Sequence, residues 1–374
     1  VSDVLTKTAA TTPAPARKLP GPRVYAWIAG LVLLLALPFY LERFWLQAGL
    51  FAMAAAIGAI GLNLLTGATG QLSMGHAFFL AVGAYGYCAF AGNGDDDLTG
   101  LGLPTWLAAL FAVALAGVAG GVFSPIAGRL RGAYLGIATL ALIFIGQHVL
   151  FNAHDLTGGF NGRDVPPLSL FGLTFDDSEM VVAAVPFGTS EKLWYLGIAL
   201  LVAGGLFARG VLRGRPGRAM NAIRDHQIAA GVMGVPVARY RAAVFVLSSM
   251  YAGLAGVLLA LVFQRTVPEY FGMVLSLEYL AMIVIGGLGS VSGAVVGAVF
   301  VSLLPQILTR YSDSLPLVSE AGTGGVSPGE AAKYLYGAAL VAVVLFLPGG
   351  LVRLFARRPK SSAPKPSGTE GNDR

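Results

Sequence analysis

Ten apolar runs, each close to the length of a membrane span, punctuate this chain of 374 residues. A helix needs roughly 20 mostly apolar residues to cross a bilayer. The runs at 24–41, 44–66, 74–92, 104–128, 133–152, 193–212, 243–264, 273–289, 291–309 and 335–354 meet that need. They predict an all-α fold: a polytopic membrane bundle of about ten transmembrane helices. The third, eighth and ninth runs are short and glycine-rich, which predicts that one or more is broken or re-entrant. Composition points the same way, with 12 % of residues charged against about 25 % in soluble domains. Cys88 is the one cysteine, so no intramolecular disulfide or thiolate metal cluster can form.

Charge sidedness orients the bundle. With both termini cytosolic, the inner segments hold 19 of the 25 lysines and arginines but only 4 of the 19 acids. Asp95, Asp96 and Asp97 fall outside. Basic residues near span ends collect in the cytoplasm, so this orientation is the predicted one. Residues 1–22 and 356–374 are polar and predicted to be disordered cytosolic tails around a membrane domain at 23–355. The first run lacks a small-x-small cleavage site and is expected to be a retained helix. Two outer loops, 153–192 and 310–334, are long. The first contains LTGGFNGRDVPP, whose Gly, Asn and Pro residues favour tight turns. A structured cap or docking surface is expected there.

Between the sixth and seventh runs lies RGRPGRAMNAIRDHQIAAGVMGVPVARYR, residues 213–241. Arg213, Arg215, Arg218, Arg224, Arg239 and Arg241 face one acid, Asp225. At 100° per residue, Ala219, Met220, Ile223 and Ala230 share one helix face, while Arg218, Asn221 and Asp225 share the opposite one. Pro216 suits the first turn, and Gly231 and Gly234 stop the helix. The expectation is one amphipathic cytosolic helix whose apolar stripe packs into a groove on a soluble partner. Arg218 and Arg224 would flank that contact or meet headgroups. A plain surface helix on anionic lipid is the alternative.

Small and polar residues mark further sites. Gly289, Gly293 and Gly297 form one small-residue ridge, and Gly117 and Gly121 another. Such ridges serve static packing or a gating interface. In residues 61–87 Asn63, Gln71 and His76 sit among glycines in an apolar setting. Buried polar groups need partners or water. The segment therefore lines a translocation path or a broken-helix junction, or is a cytosolic turn. Gln147 lies near the outer end of the fifth run and Glu278 near the start of the eighth. Each is a path candidate, with an interfacial group or an exposed helix-start carboxylate as the alternative. The second–third and eighth–ninth runs share an orientation and a Gly/Ser-rich corner, as a parallel repeat would.

Several signatures are missing from the sequence. There is no GxxxxGK[ST] phosphate loop, no metal-ligand spacing and no intramembrane proton relay. No nucleophile triad can be assembled, and nothing points to nucleic acid. The chain is expected to be neither an enzyme nor a self-powered pump. A carrier with a docking helix and no engine implies a partner ATPase.

Five stretches carry a family resemblance: GLNLLTGATGQLSMGHAFFLAVGAY (61–85), RLRGAYLGIATLALIFI (129–145), LTGGFNG (156–162), GRAMNAIRDHQIAAGVMGV (217–235) and LSLEYLAMIVIGGLGSVSGAVVGA (275–298). With LPGGL (347–351) they resemble, in order, the motifs of branched-chain amino-acid ABC permeases, the LivM type above all. The resemblance implies a bacterial cytoplasmic-membrane subunit of an importer. Its partners would be a second, LivH-type permease, two ATP-binding subunits and an extracytoplasmic binding protein, with membrane lipid around it. It implies no cofactor bound by this chain and ATP at the partner subunits. The family's coupling segment maps onto Arg218 to Gly231. Many relatives carry an acid after the paired alanines, where this chain has Gly231. Branched-chain or other hydrophobic amino acids are the implied cargo. A urea or short-amide permease is the same-class alternative, a stand-alone secondary transporter the different-class one.

Overall fold

Lipid offers no partner to a backbone N–H or C=O, and in the computed structural model of the chain the described residues are mostly helical. These are residues 30–94, 98–130, 132–170, 172–177, 180–182, 185–311, 327–346 and 349–352. The two tails, Asp95–Asp97, Arg131 and residues 312–326 of the second outer loop lie outside them. One unit, Val1–Leu41, contributes α1 (Gly30–Phe39). The other, Glu42–Arg374, carries the rest. Its helices are α2 (Arg43–Thr69), α3 (His76–Ala91), α4 (Thr105–Arg129), α5 (Ala133–Asn152), the single turn α6 (His154–Thr157), α7 (Thr189–Arg213), α8 (Arg215–Asp225), α9 (Gln227–Val232), α10 (Val237–Phe263), α11 (Met273–Gly286), α12 (Val291–Arg310) and α13 (Pro328–Phe346).

Every predicted apolar run overlaps one of these helices. Among the described residues six, α2, α4, α5, α7, α10 and α12, are long and apolar enough to cross a membrane. The 16 residues of α3 and 14 of α11 rise only about 24 and 21 Å at 1.5 Å per residue, short of a hydrocarbon core of about 30 Å. The third and eighth runs are therefore short helices, whereas the ninth, α12, is of full length.

Burial ranks the helices. The apolar stretch of α2 is 89 % buried and that of α10 78 %, against 17 % for α7. Small residues put α2 at the centre, because they let other backbones approach. A Cβ added at Gly49 would collide with Trp194 of α7, at Gly58 with Tyr279 of α11, at Gly61 with Tyr251 of α10, and at Gly67 with Gly289. Four elements thus dock on four glycines of one helix.

The two predicted ridges pack differently from the sequence reading. On α4 the close contacts with α10 come from Gly117 on Met250 and Gly120 on Ser249. Gly121 meets only Val246, at an ordinary 3.7 Å. The contact face follows an i, i+3 step rather than i, i+4. On α12, Gly293 and Gly297 lie against the backbone of α11 at Gly286 and Met282. Gly289 is not on that ridge. It belongs to the α11–α12 turn, with φ +79. The α11–α12 pair folds back as a hairpin, while α3 turns away from α2 onto α4 and α10. The linker explains the difference: residues 70–75 separate α2 from α3, but only 287–290 separate α11 from α12. The suggested repeat stops at the sequence.

The loop after α5 is structured. Strand β1 (Arg163–Asp164) precedes two small hairpins, β2 (Ser169–Leu170) with β3 (Leu173–Thr174) and β4 (Met180–Val182) with β5 (Val185–Phe187). β1 pairs antiparallel with β6 (Arg265–Thr266), next to the end of α10. Buried Arg163 donates to the carbonyls of Thr99 at 2.8 Å and Leu156 at 3.1 Å. At the loop's end Asp177 accepts from the Thr189 N–H and hydroxyl, at 3.2 and 3.0 Å. Those bonds hold its carboxyl below the usual carboxylate range.

Candidate coupling and translocation site

The basic segment 213–241 is two helices, not one. Asp225 and His226 are weak helix formers, and His226 adopts an extended conformation, φ −150 and ψ 91, between α8 and α9. The break changes which side chains are available. Met220, Ile223 and Ala230 are buried in this chain's own bundle, and Ala219 is half-buried. The predicted docking stripe is thus an internal contact, because α8 lies against α2, α7 and α10. Gly231 is within α9, and the stop is Gly234, with φ +84. The free apolar surface is on and just after α9: Ile228, Val232 and Met233 are 79 %, 83 % and 84 % exposed. Arg218 and Asp225 are exposed as well.

Arg224 is 42 % exposed and reaches back to the end of α2. Its Nη1 donates to the Gly67 carbonyl at 3.0 Å, while its Nε pairs with Asp225 at 3.1 Å. Gly67 is in the last turn of α2, whose final carbonyls lack helical partners. A cation there also meets the negative end of the helix dipole. One turn earlier, buried Asn63 clamps the α11–α12 turn. Its Oδ1 accepts from the Gly289 N–H at 2.8 Å, and its Nδ2 donates to the Ser290 carbonyl at 2.8 Å. A Cβ on Gly67 would collide with the Gly289 backbone, while Gly289 itself is held to glycine by its positive φ of +79. A run of contacts thus leads from α8 through the end of α2 to the start of α12.

Residues 70–75 form a non-helical junction within the protein, with Gln71 and Ser73 buried. Irregular backbone at membrane depth is tolerated where protein surrounds it. Gln71 donates to Thr69 at 2.9 Å. Thr139 of α5 accepts from the Met74 N–H at 2.9 Å, and Ser276 of α11 accepts from the Ala77 N–H at 2.8 Å. His76 meets the Gly58 carbonyl at 2.9 Å. A carbonyl only accepts, so Nε2 carries the proton. The imidazole also stands edge-on to Tyr279, with centroids 5.0 Å apart. Residues 70–75 are a helix break between α2 and α3, at which Asn63, His76 and the Gln71 Nε2 have partners while the Gln71 Oε1 is buried without one.

Glu278 is elsewhere. It lines a cavity of about 240 Å³ between α2, α10, α11 and α12, at the end of the bundle away from α8 and α9. Phe51, Leu259, Phe263, Tyr270 and Met282 supply apolar wall, and Ser302 and Gln306 further polar groups. Gln147 does not line it. Its amide sits beside Gly272, the residue before α11, 3.1 Å from where a Cβ would be. The sequence marked Glu278 but not Ser302 or Gln306, which lie one turn apart on α12 and carry no signal until four helices converge.

Residues 45–344 match the family described as the permease component of branched-chain amino acid transport systems. The chain belongs to this permease family. It is 31 % identical over 298 residues to the high-affinity branched-chain amino acid permease protein LivM of Escherichia coli, covering 76 % of this permease and 68 % of that one. Identity to LivH of Escherichia coli is 28 % over 266 residues, 68 % of this permease and 82 % of the relative. An autoinducer 2 import permease, LsrC of Klebsiella pneumoniae, is 34 % identical over 128 residues, 32 % of this permease and 36 % of that one. No solved structure matches. The longer match to LivM agrees with the LivM-type motifs, and LsrC shows that relatives differ in cargo. The LPGGL motif has a structural role here: the Leu351 N–H donates to the Ile285 carbonyl at 2.9 Å, closing residues 349–351 over the end of α11.

Proposed function

We propose that this permease is one of two membrane subunits of a binding-protein-dependent ABC importer in the bacterial cytoplasmic membrane. Its cargo is branched-chain or other hydrophobic amino acids, released to it by an extracytoplasmic binding protein. A LivH-type permease pairs with it, and two ATP-binding subunits supply the energy, with ATP bound there and no cofactor on this chain. The observation that carries the reading is the match to LivM across three quarters of the chain. The exposed apolar side of α9 supports it. Ile228 and Val232 are spaced i, i+4, as anchors entering a partner's groove are. An ATPase that grips α9 would move α8 with it, and Arg224 would pass that movement to α2.

Reconstitution with the partner subunits tests the function directly. Leucine uptake into proteoliposomes should require binding protein and ATP together, and uptake without either would point to a stand-alone carrier. Two substitutions then separate the surfaces. Ile228→Glu should leave the permease folded but release the ATP-binding subunits on purification. Ile223→Glu should instead lower the yield of folded permease, because it puts an unpaired carboxylate in the bundle, at a cost of several kcal/mol. Parental co-purification and uptake in Ile228→Glu would show that α9 is not the docking surface.

A further inference from the structure

The cavity beside Glu278 is apolar over most of its wall, with the hydroxyl-bearing Tyr270 and Tyr279 and three further polar side chains, Glu278, Ser302 and Gln306, on two facing helices. Ligand sites for small molecules have this make-up: mostly hydrophobic lining, with a few polar groups that fix orientation. At about 240 Å³ it is below the roughly 300–1,000 Å³ of sites for drug-sized ligands, so its occupant is small. Among the described residues none of Glu278, Ser302 and Gln306 is committed elsewhere: they make no side-chain hydrogen bond or ion pair with another described residue. Lys333 of α13 acts on Glu278 electrostatically but is not within ion-pair distance and is itself exposed. A half-buried carboxylate facing aromatic and aliphatic groups is costly unless something cationic meets it.

We propose that this cavity is a subsite for a free hydrophobic amino acid, with the α-ammonium on the Glu278 carboxylate and the aliphatic side chain against Phe51, Leu259, Phe263 and Met282. Ser302 and Gln306 are the donors left for the α-carboxylate, one turn apart on α12. This rests on the transport reading above for its choice of amino acids, but it makes a separate statement about chemistry: the site requires the ammonium group. A urea or an uncharged amide offers Glu278 no cation, and a fatty acid offers it a like charge.

The test uses the assembled complex without binding protein, so that recognition by that partner does not enter. Ser302→Cys in a Cys88→Ala background places one thiol in the cavity. L-leucine and isopentylamine should protect it from maleimide, whereas 4-methylpentanoate, which lacks the ammonium, should not. Adding Glu278→Gln should raise the protecting concentration of both amines about tenfold or more, the scale of a lost charge-assisted hydrogen bond. Equal protection by 4-methylpentanoate, or unchanged protection in Glu278→Gln, overturns the proposal. If the thiol variant does not assemble, thermal unfolding of the parent and of Glu278→Gln with the same three ligands gives the same contrasts. A purely structural Glu278, serving only to meet Lys333, would shift stability without distinguishing amines from acids, and that result also overturns it. Leucine uptake is read in parallel. Uptake without amine-selective protection leaves the importer reading standing and removes the subsite. Protection without uptake removes the importer reading and keeps the subsite.

Discussion

Asn63→Ala tests the clamp between α2 and the α11–α12 turn. The substitution removes one acceptor and one donor, each at 2.8 Å. A hydrogen bond contributes about 0.5–1.5 kcal/mol net, and a partner stranded without water costs about 1–3 kcal/mol. Position decides between these figures. Asn63 is buried, but Gly289 is exposed and Ser290 half-exposed, so water can reach both groups left behind. The lower figure applies, about 1 kcal/mol per bond and about 2 kcal/mol for the pair. At 1.4 kcal/mol per factor of ten, the open population of the turn should rise by about 30-fold. Amide exchange over residues 285–293 of the purified permease reads that population. It should quicken by this factor while the exchange of α4 and α7 stays as in the parent. Uptake should fall because the turn no longer follows α2, with the amount of assembled complex unchanged. Exchange within threefold of the parent would refute the clamp.

Two further predictions concern the loop before α7 and the membrane orientation. Asp177 has a depressed folded pKa because Thr189 donates to it twice. Its contribution to holding the start of α7 is therefore present above the unfolded value of about 3.9 and is lost as pH falls through the lower folded value. Thr189→Val deletes the hydroxyl donor, so amide exchange in the first turn of α7 should quicken at a higher pH than in the parent; identical acid profiles would refute this. For orientation, in a Cys88→Ala background Asp177→Cys should react with an impermeant maleimide on intact cells and Gln227→Cys should not, since α8 and the ends of α7 and α10 around it carry the arginines expected to stay inside. Outside labelling at 227 would reverse the bundle.

Much of the fold was legible because span length and hydropathy are local properties. The ten apolar runs located the long helices, and the short third and eighth runs were marked by their glycines. The coupling segment was misread at one residue. A helical wheel carries 100° per residue through any break, so it placed Ala230 on the same stripe as Met220 and hid Ile228, Val232 and Met233. The pair Asp225–His226 was the available signal, two weak helix formers in succession. The sequence marked Asn63 as a buried polar group but not its partners, which lie 226 and 227 positions away; no local pattern announces a contact that distant. Gly121 failed for a related reason: the sequence offers Gly117, Gly120 and Gly121, but only the facing helix α10 decides which two are used.

The materials of this junction matter as much as its connectivity. Long side chains absorb displacement by changing rotamer, but Gly67 meets Gly289 backbone to backbone, and that route offers no rotamer to change. Across to α2, Arg224 reaches a carbonyl, its Asp225 contact being within α8, and Asn63 grips an N–H and a C=O. A shift of α8 that keeps these bonds must therefore move main chain. The turn it reaches begins at Gly287 and is closed on its far side by the Leu351–Ile285 bond, so it has little freedom to flex alone. In the proposed coupling, the motion would pass instead into α11 and α12, which lie backbone against backbone at Gly286 and Gly293. These are the helices that carry Glu278, Ser302 and Gln306. A cavity with its carboxylate, amide and aliphatic hydroxyl on that pair would change shape if either helix moved against α2.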